Sequence, residues 1–242
     1  MQKMNRSTDR KPIKVEPVTS EDRVDKLILP DARPFDACPY GLEYQGYWDL
    51  LTNEEKTWFY DPEGLYSITV KSIATDQANR LLGETVVDLF CGCGGNAIAF
   101  ARSGKNVIAV DNNIDRLNMA RENAKLAGVA DKIQFIRAEA VEYLNQNAAS
   151  IKPDAIFLDP PWGGPGYVEN EQFPLDGFNP SGKVLLDLAL EHAKYVAIKL
   201  PDNFKFDELG QFSPAYTKVS DYLGDKLLHY TAYFDSPSLS PA

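Results

Sequence analysis

From residue 68 onward the apolar positions of the chain switch repeatedly between a helical and an extended spacing. Ile73, Ala74, Ala78, Leu81 and Leu82 fall on one side of a helix predicted over Ile68–Leu82, with Gly83 as its stop. Thr85-Val86-Val87-Asp88-Leu89-Phe90 is too short and too β-branched for a helix and reads as a buried strand, followed by a loop over Cys91–Gly95 and a helix through Ala101. Asn106–Val110 is the next strand, ended by Asp111. Ile114, Leu117, Ala120, Ala124 and Ala127 then mark a helix closed by Gly128. Ile133–Ile136 and Ala155–Leu158 are strands on either side of a short helix near Val141–Leu144. Val184–His192 is helical, Tyr195–Leu200 extended, and Val219–Tyr222 with Leu227–Phe234 forms a terminal antiparallel pair around Gly224-Asp225. Strands alternating with helices predict a doubly wound, Rossmann-like α/β sheet. No internal repeat is visible.

The first part of the chain follows neither period. Residues 1–35 are polar and contain proline, which predicts a flexible tail. Residues 36–66 crowd together Tyr40, Tyr44, Tyr47, Trp48, Trp58, Phe59, Tyr60 and Tyr66, and Leu42, Trp48, Leu50 and Leu51 fit short helices. Two readings stand side by side: a small satellite core, or an aromatic face over a nucleobase. The expected organisation is a 1–35 tail, a 36–66 helical lobe and a 67–242 domain.

Composition narrows the class. The chain has 242 residues, 44% hydrophobic and 25% charged, enough for one sizeable core. No apolar run approaches the roughly 18–20 residues of a membrane span, and no signal-peptide core opens the chain, so an intracellular protein is expected. Three cysteines and two histidines supply neither a disulfide framework nor a zinc set, and no metal is expected. A formal charge of −10 opposes a broad, sequence-independent grip on a nucleic-acid backbone but leaves room for one nucleotide in a pocket. Lys3, Arg6, Arg10, Lys11 and Lys14 against Asp9 make the extreme N-terminus basic, a solvated tail or an RNA contact.

Two loops carry candidate chemistry. In a doubly wound sheet the ligand lies at the carboxyl ends of the strands, where the first strand turns into its helix. Here that turn is Asp88-Leu89-Phe90-Cys91-Gly92-Cys93-Gly94-Gly95-Asn96, and Gly92 and Gly94 would let the backbone approach a ligand closely. Spacing alone admits a nicotinamide dinucleotide or S-adenosylmethionine. Asp88 decides between them, because a carboxylate before the loop repels a pyrophosphate and welcomes the ammonium of a methionyl group. Asp111, with Asn112 beside it, would accept ribose hydroxyls, and Glu139 the adenine amine. Phe90 and Cys91 complete the expected cofactor wall, with the cysteines as packing residues.

The second loop, Asp159-Pro160-Pro161-Trp162-Gly163-Gly164-Pro165, closes the apolar run Ala155–Leu158. Prolines fix φ and lack N–H groups, which leaves carbonyls to point at a ligand. An exocyclic aromatic amine is a poor nucleophile, since its lone pair is delocalised into the ring. Acceptors on its hydrogens, Asp159 Oδ and the Pro160 carbonyl, would free that pair by orientation and charge placement. Trp162 would stack on the base, with a cation–π gain of about 0.5–2 kcal/mol if the base is cationic.

These residues resemble the RNA cap guanine-N2 methyltransferases, the trimethylguanosine synthase family. The resemblance runs from about Tyr47 to the last strand. It rests on Gly64-Leu65-Tyr66-Ser67-Ile68-Thr69, on Val87 through Asn96, on Ala120-Arg121-Glu122-Asn123-Ala124, and most specifically on Pro160-Pro161-Trp162-Gly163-Gly164-Pro165-Gly166-Tyr167. It implies a class I methyltransferase fold and S-adenosylmethionine-dependent methylation of guanine N2 in a 7-methylguanosine-capped RNA, with the cationic base against Trp162. By the same matching, Asn123 would meet the guanine edge, Ser67 and Thr69 would join the lobe to cofactor and cap, and Pro161 and Asn203 would belong to the cap site. A monomer is expected, and the resemblance implies action in the nucleus if the cell has one, otherwise in the cytoplasm. The chain departs from the family in two places. Asp159 stands where serine is usual, and Pro201-Asp202-Asn203 stands where Pro-Arg-Asn is usual. The alternatives are a methyltransferase for an internal guanine or adenine amine, and a cap-binding module without catalysis.

Overall fold

Among the described residues, seven strands form one sheet in the order β3-β2-β1-β4-β5-β7-β6. They are β1 Thr85–Leu89, β2 Asn106–Asp111, β3 Ile133–Arg137, β4 Ala155–Leu158, β5 Tyr195–Leu200, β6 Tyr216–Leu223 and β7 Lys226–Asp235. The computed structural model describes residues 38–163, 171–213 and 215–236. The expected 1–35 tail and the Gly164–Tyr167 end of the proline turn lie outside the described residues. β1 to β5 run parallel, and β7 enters antiparallel between β5 and β6. The helices are α1 Gln45–Trp48, α2 Pro62–Ser67, α3 Lys71–Arg80, α4 Gly95–Arg102, α5 Ile114–Leu126, α6 Ala140–Tyr143, α7 Ala149–Ile151 and α8 Gly182–His192.

The parallel strands are apolar on both faces because helices cover both. Val86, Val107, Ala109, Phe135, Ala155, Phe157 and Ala197 face α3, α4 and α5. Their chain neighbours Val87, Val110, Ile136, Ile156, Leu158, Val196 and Ile198 face α6 and α8. This two-residue alternation matters at β5, where Lys199 shares the face of Ala197 and is 5% exposed.

Helix α3 is shorter than the predicted Ile68–Leu82. Val70 is still extended, and the helix begins where the Lys71 N–H meets the Glu55 carboxylate at 2.7 Å. At the other end Leu81 turns extended, and Leu82 is 54% exposed rather than in the core stripe. The short helix near Val141–Leu144 extends further than the pattern suggests, since a π turn over Leu144–Ala148 joins α6 to α7.

The aromatic segment is largely core. Trp48, Leu51, Trp58, Tyr60 and Leu65 belong to the same cluster as α3 and α4, so they extend the main core rather than form a satellite. Tyr47 and Tyr66 remain near the surface with ring centroids 6.0 Å apart. Three polar ties hold the segment down. Glu55, 1% exposed, accepts from Thr52 N, Thr52 Oγ1 and Lys71 N. Asp61 caps α2 through Gly64 N at 2.5 Å, and Arg116 of α5 bridges Asp61 and Glu63. Asn123 of α5 accepts from Phe59 N and donates to Phe59 O.

Glu55→Ala removes three hydrogen bonds that a buried carboxylate makes to partly exposed donors, and it is expected to lower unfolding stability by about 1–3 kcal/mol. Denaturant titration checks this, and a loss under about 0.5 kcal/mol would contradict the role of Glu55 as the tie.

Candidate active site

β1 ends in a tight turn that the sequence makes possible. Phe90 holds φ 66° without being glycine, a strained conformation of the kind that concentrates at functional sites. Gly92 follows at φ 52°, and a β-carbon there would meet nothing within 4 Å, so its open side faces free space. A cavity begins at this point. Ser67, Thr69, Asp88, Phe90, Cys91, Gly92 and Asp159 line it, drawn from the α2–α3 junction and the ends of β1 and β4.

Asp88 forms its floor. It is 1% exposed, and neither carboxylate oxygen has a hydrogen-bond partner at bonding geometry among the described residues. Burial pushes its carboxyl well above the usual range, and Asp159 and Asp111 push it further. Lys199 and the nearby Ala97 N–H pull the other way without offsetting this. Such a carboxylate is poised for a cation. Asp111 is also buried, but it accepts from Gly92 N at 2.8 Å and Asn113 N at 2.9 Å, which braces the loop. Burial raises the Cys91 thiol well above its usual value and the Cys93 thiol to about 12, so neither is a thiolate at neutral pH.

Lys199 escaped the sequence reading. The signal was a lysine inside the apolar run Tyr195–Leu200, at a core-facing position of a strand buried on both faces. Its Nζ donates to Asp159 Oδ2 at 2.8 Å, to Thr69 Oγ1 at 3.1 Å and to the Ser67 carbonyl at 3.2 Å. It also lies 5.5 Å from the centroid of the Trp162 ring. Burial raises the Asp159 carboxyl above its usual range, and Lys199 offsets part of that rise. Removing one partner from a buried pair of this kind costs about 3–5 kcal/mol. His229 packs edge-on to Trp162, with centroids 6.5 Å apart. Burial, with the Lys199 charge, pushes its pKa well below 6.5, which keeps it neutral.

Behind the cavity a buried polar chain links α4 to the terminal hairpin. Asn96 donates to Gln77, Gln77 to Thr231, and Thr231 to Asp221 at 2.6 Å. These groups satisfy one another where the core would otherwise reject them.

Not every expected site residue lies at the cavity. Asn123 is 0% exposed, and its amide is used on Phe59 N, Phe59 O and Cys93 O, so it has no group to offer a guanine edge. That expectation is corrected: Asn123 clamps the lobe to the loop. Gly94, at φ 92°, faces α5 with only 3.0 Å from a β-carbon to Ala120 Cβ, so it serves helix packing rather than ligand approach. Asn112 and Glu139 bond to each other at 3.0 Å at the exposed ends of β2 and β3. The Pro161 carbonyl accepts from Asn179 N at 3.4 Å, and the Asn203 carbonyl from Phe173 N at 2.9 Å. Among the described residues no helix is long and apolar enough to cross a membrane, and no cluster of three metal-ligating side chains occurs.

A family model of the RNA cap guanine-N2 methyltransferases matches residues 83–228, more than half of the chain. The chain belongs to that family. The trimethylguanosine synthase of Schizosaccharomyces pombe is 29% identical over 184 residues, which cover 71% of this chain and 76% of that protein. The Saccharomyces cerevisiae protein of the same name is 35% identical over 162 residues, 64% of this chain and only 50% of its own length. Among solved structures, a methyltransferase described as putative from Porphyromonas gingivalis superposes with TM-score 0.59 at 17% identity, covering 72% of this chain and 42% of that one. A Thermus thermophilus 16S rRNA N2 methyltransferase in complex with AdoMet and guanosine gives 0.52 at 15%, covering 73% and 43%. These two likenesses speak to the fold, which is the class I methyltransferase fold.

The chain is an S-adenosylmethionine-dependent RNA methyltransferase. Its residues fit that cofactor: the unpartnered Asp88 carboxylate suits an ammonium, and the bare side of Gly92 leaves room for close backbone approach.

Because burial raises the Asp88 pKa, the folded chain binds that proton more tightly than the unfolded one. Its contribution to stability therefore falls as pH rises from 3.8 through the raised value. Asp88→Asn is expected to raise the melting temperature of the cofactor-free protein near pH 7, by about 2–4 °C per kcal/mol relieved. It should also weaken cofactor binding about tenfold or more. Calorimetry checks both, and an Asp88→Asn protein that binds normally would contradict the assignment.

Proposed function

We propose that this chain methylates the exocyclic N2 of 7-methylguanosine in an RNA cap and carries the product to the di- or trimethylguanosine stage. The carrying observation is the pairing of two acceptors at the end of β4. Asp159 Oδ1 and the Pro160 carbonyl have no hydrogen-bond partner among the described residues, and Asp159 lines the cavity that Asp88 floors. Two relatives named trimethylguanosine synthase support the same reading.

S-adenosylmethionine supplies an electrophilic methyl group on a sulfonium when bound. Asp88 would hold its ammonium, Asp111 and Asn112 its ribose, Glu139 its adenine amine, and Phe90, Cys91, Gly92 and Thr69 its flanks. Asp159 and Pro160 accept from the two N2 hydrogens, which localises the nitrogen lone pair and aims it. Trp162 stacks on the purine, with Ser67, Pro161 and Asn203 bounding the cap site. Its ring already meets one cation, Lys199, which marks it as a surface that takes positive charge.

The chain's charge of −10 fits recognition of one nucleotide in a pocket better than a grip on many phosphates, whereas the exposed Asp202 would repel a cap triphosphate. The protein acts as a monomer, in the nucleus where the cell has one and otherwise in the cytoplasm.

Calorimetry with 7-methylguanosine diphosphate against guanosine diphosphate tests the cap reading. The methylated nucleotide is expected to bind more tightly, Trp162→Ala to erase the difference, and Trp162→Phe to keep part of it. Equal affinity for both nucleotides would overturn it. Asp159→Ala is expected to slow methyl transfer by about tenfold or more with cofactor affinity nearly unchanged, and near-normal turnover would remove Asp159 from the acceptor role.

A further inference from the structure

Lys199 touches four residues of the proposed amine site without lining the cavity. From β5 it reaches Asp159 on β4, Thr69 and Ser67 at the α2–α3 junction, and the face of Trp162. Asp159 has two oxygens, and only Oδ2 is engaged, by Lys199 at 2.8 Å. Oδ1 has no bond among the described residues. The side chains are 6% exposed for Lys199 and 20% for Asp159, so water screens the pair little and Asp159 keeps a partly open edge.

We propose that Lys199 is the positioning residue of the amine site: it fixes Asp159 through Oδ2 as an anion, so that of its two oxygens Oδ1 is the one left for the substrate amine. The proposal rests on the amine-acceptor role of Asp159 argued above. The chemistry requires such a device here. Asp88, Asp111 and Asp159 gather at neighbouring strand ends, and Asp159 and Asp111 both act on Asp88. A third buried carboxylate in that company would take up a proton and become a donor, the wrong partner for an N–H group. Lys199 supplies the opposing charge. The other charged or titratable groups around the pair do not replace it. His229 of β7 stays neutral, and Asp221 of β6 is bound to Thr231.

The same lysine ties Ser67 and Thr69 to Asp159. Two of the segments that line the cavity therefore share one anchor, and the amine acceptor is placed relative to the cofactor wall by a single side chain.

Carbon-13 NMR of aspartate carboxyls in the cofactor-free protein tests the proposal without any RNA, with Asp159→Asn to assign the signal. Lys199→Gln keeps a donor but no charge, and Lys199→Met removes both. Either is expected to raise the Asp159 titration midpoint by about one pH unit or more, with Lys199→Arg restoring it. The charge-neutral substitutions should also slow turnover on the wild-type substrate about tenfold or more, with partial recovery in Lys199→Arg. An unchanged Asp159 midpoint in both Lys199→Gln and Lys199→Met overturns the proposal. If the wild type transfers no methyl group to capped RNA, the cap reading fails, and the NMR comparison still decides for or against Lys199.

Discussion

The ion pair between Lys199 and Asp159 is the interaction on which the site's arrangement turns. It crosses from β5 to β4 at the carboxyl end of the sheet, where parallel strands bring charged side chains together with little water. Three carboxylates converge there, and Lys199 is the cation bonded among them. Without it Asp159 would be a third acid competing for protons with Asp88. With it, Asp88 is the carboxylate left without a partner among the described residues, and a buried carboxyl in that state gains most from a cationic ligand. On the proposed reading, one lysine would thus separate a cofactor acid from an amine acceptor.

The rest of the fold serves to keep those strand ends in register. Helices on both faces bury β1, β4 and β5 so fully that their ends cannot shift independently. The strained Phe90 turn and the braced Gly92 loop are tolerated because Asp111 holds the loop from β2. The aromatic segment is pinned to this frame by Glu55, Arg116 and Asn123, so the α2–α3 junction carrying Ser67 and Thr69 is set by the core itself. Loosening any of these ties would move the cavity wall before it unfolded the sheet.

Much of this was legible in the chain. Strands such as Ala155–Leu158 are continuous apolar runs, Tyr195–Leu200 is one broken only by Lys199, and the alternation with helices allows few topologies, so the sheet followed. That Asp88 and Asp159 lie at the strand ends beside the glycine loop was readable from the loop and the prolines, and both line the cavity there. Two kinds of residue were not. Lys199 carries no motif, and only three-dimensional pairing reveals a partner forty positions away. Asn123 looked like a ligand, because a motif does not report whether an amide is already spent on backbone groups of Phe59 and Cys93. Helix ends such as Lys71 were also hidden, since a distant glutamate sets them.

Mass spectrometry of an RNA bearing a 7-methylguanosine cap, after incubation with the protein and isotopically labelled S-adenosylmethionine, tests the central claim most directly. It reads the position and the number of transferred methyl groups together. One or two labelled methyl groups on N2 of the terminal guanosine is the predicted result. Label on an internal base, or no label from a folded protein that binds the cofactor, would contradict it.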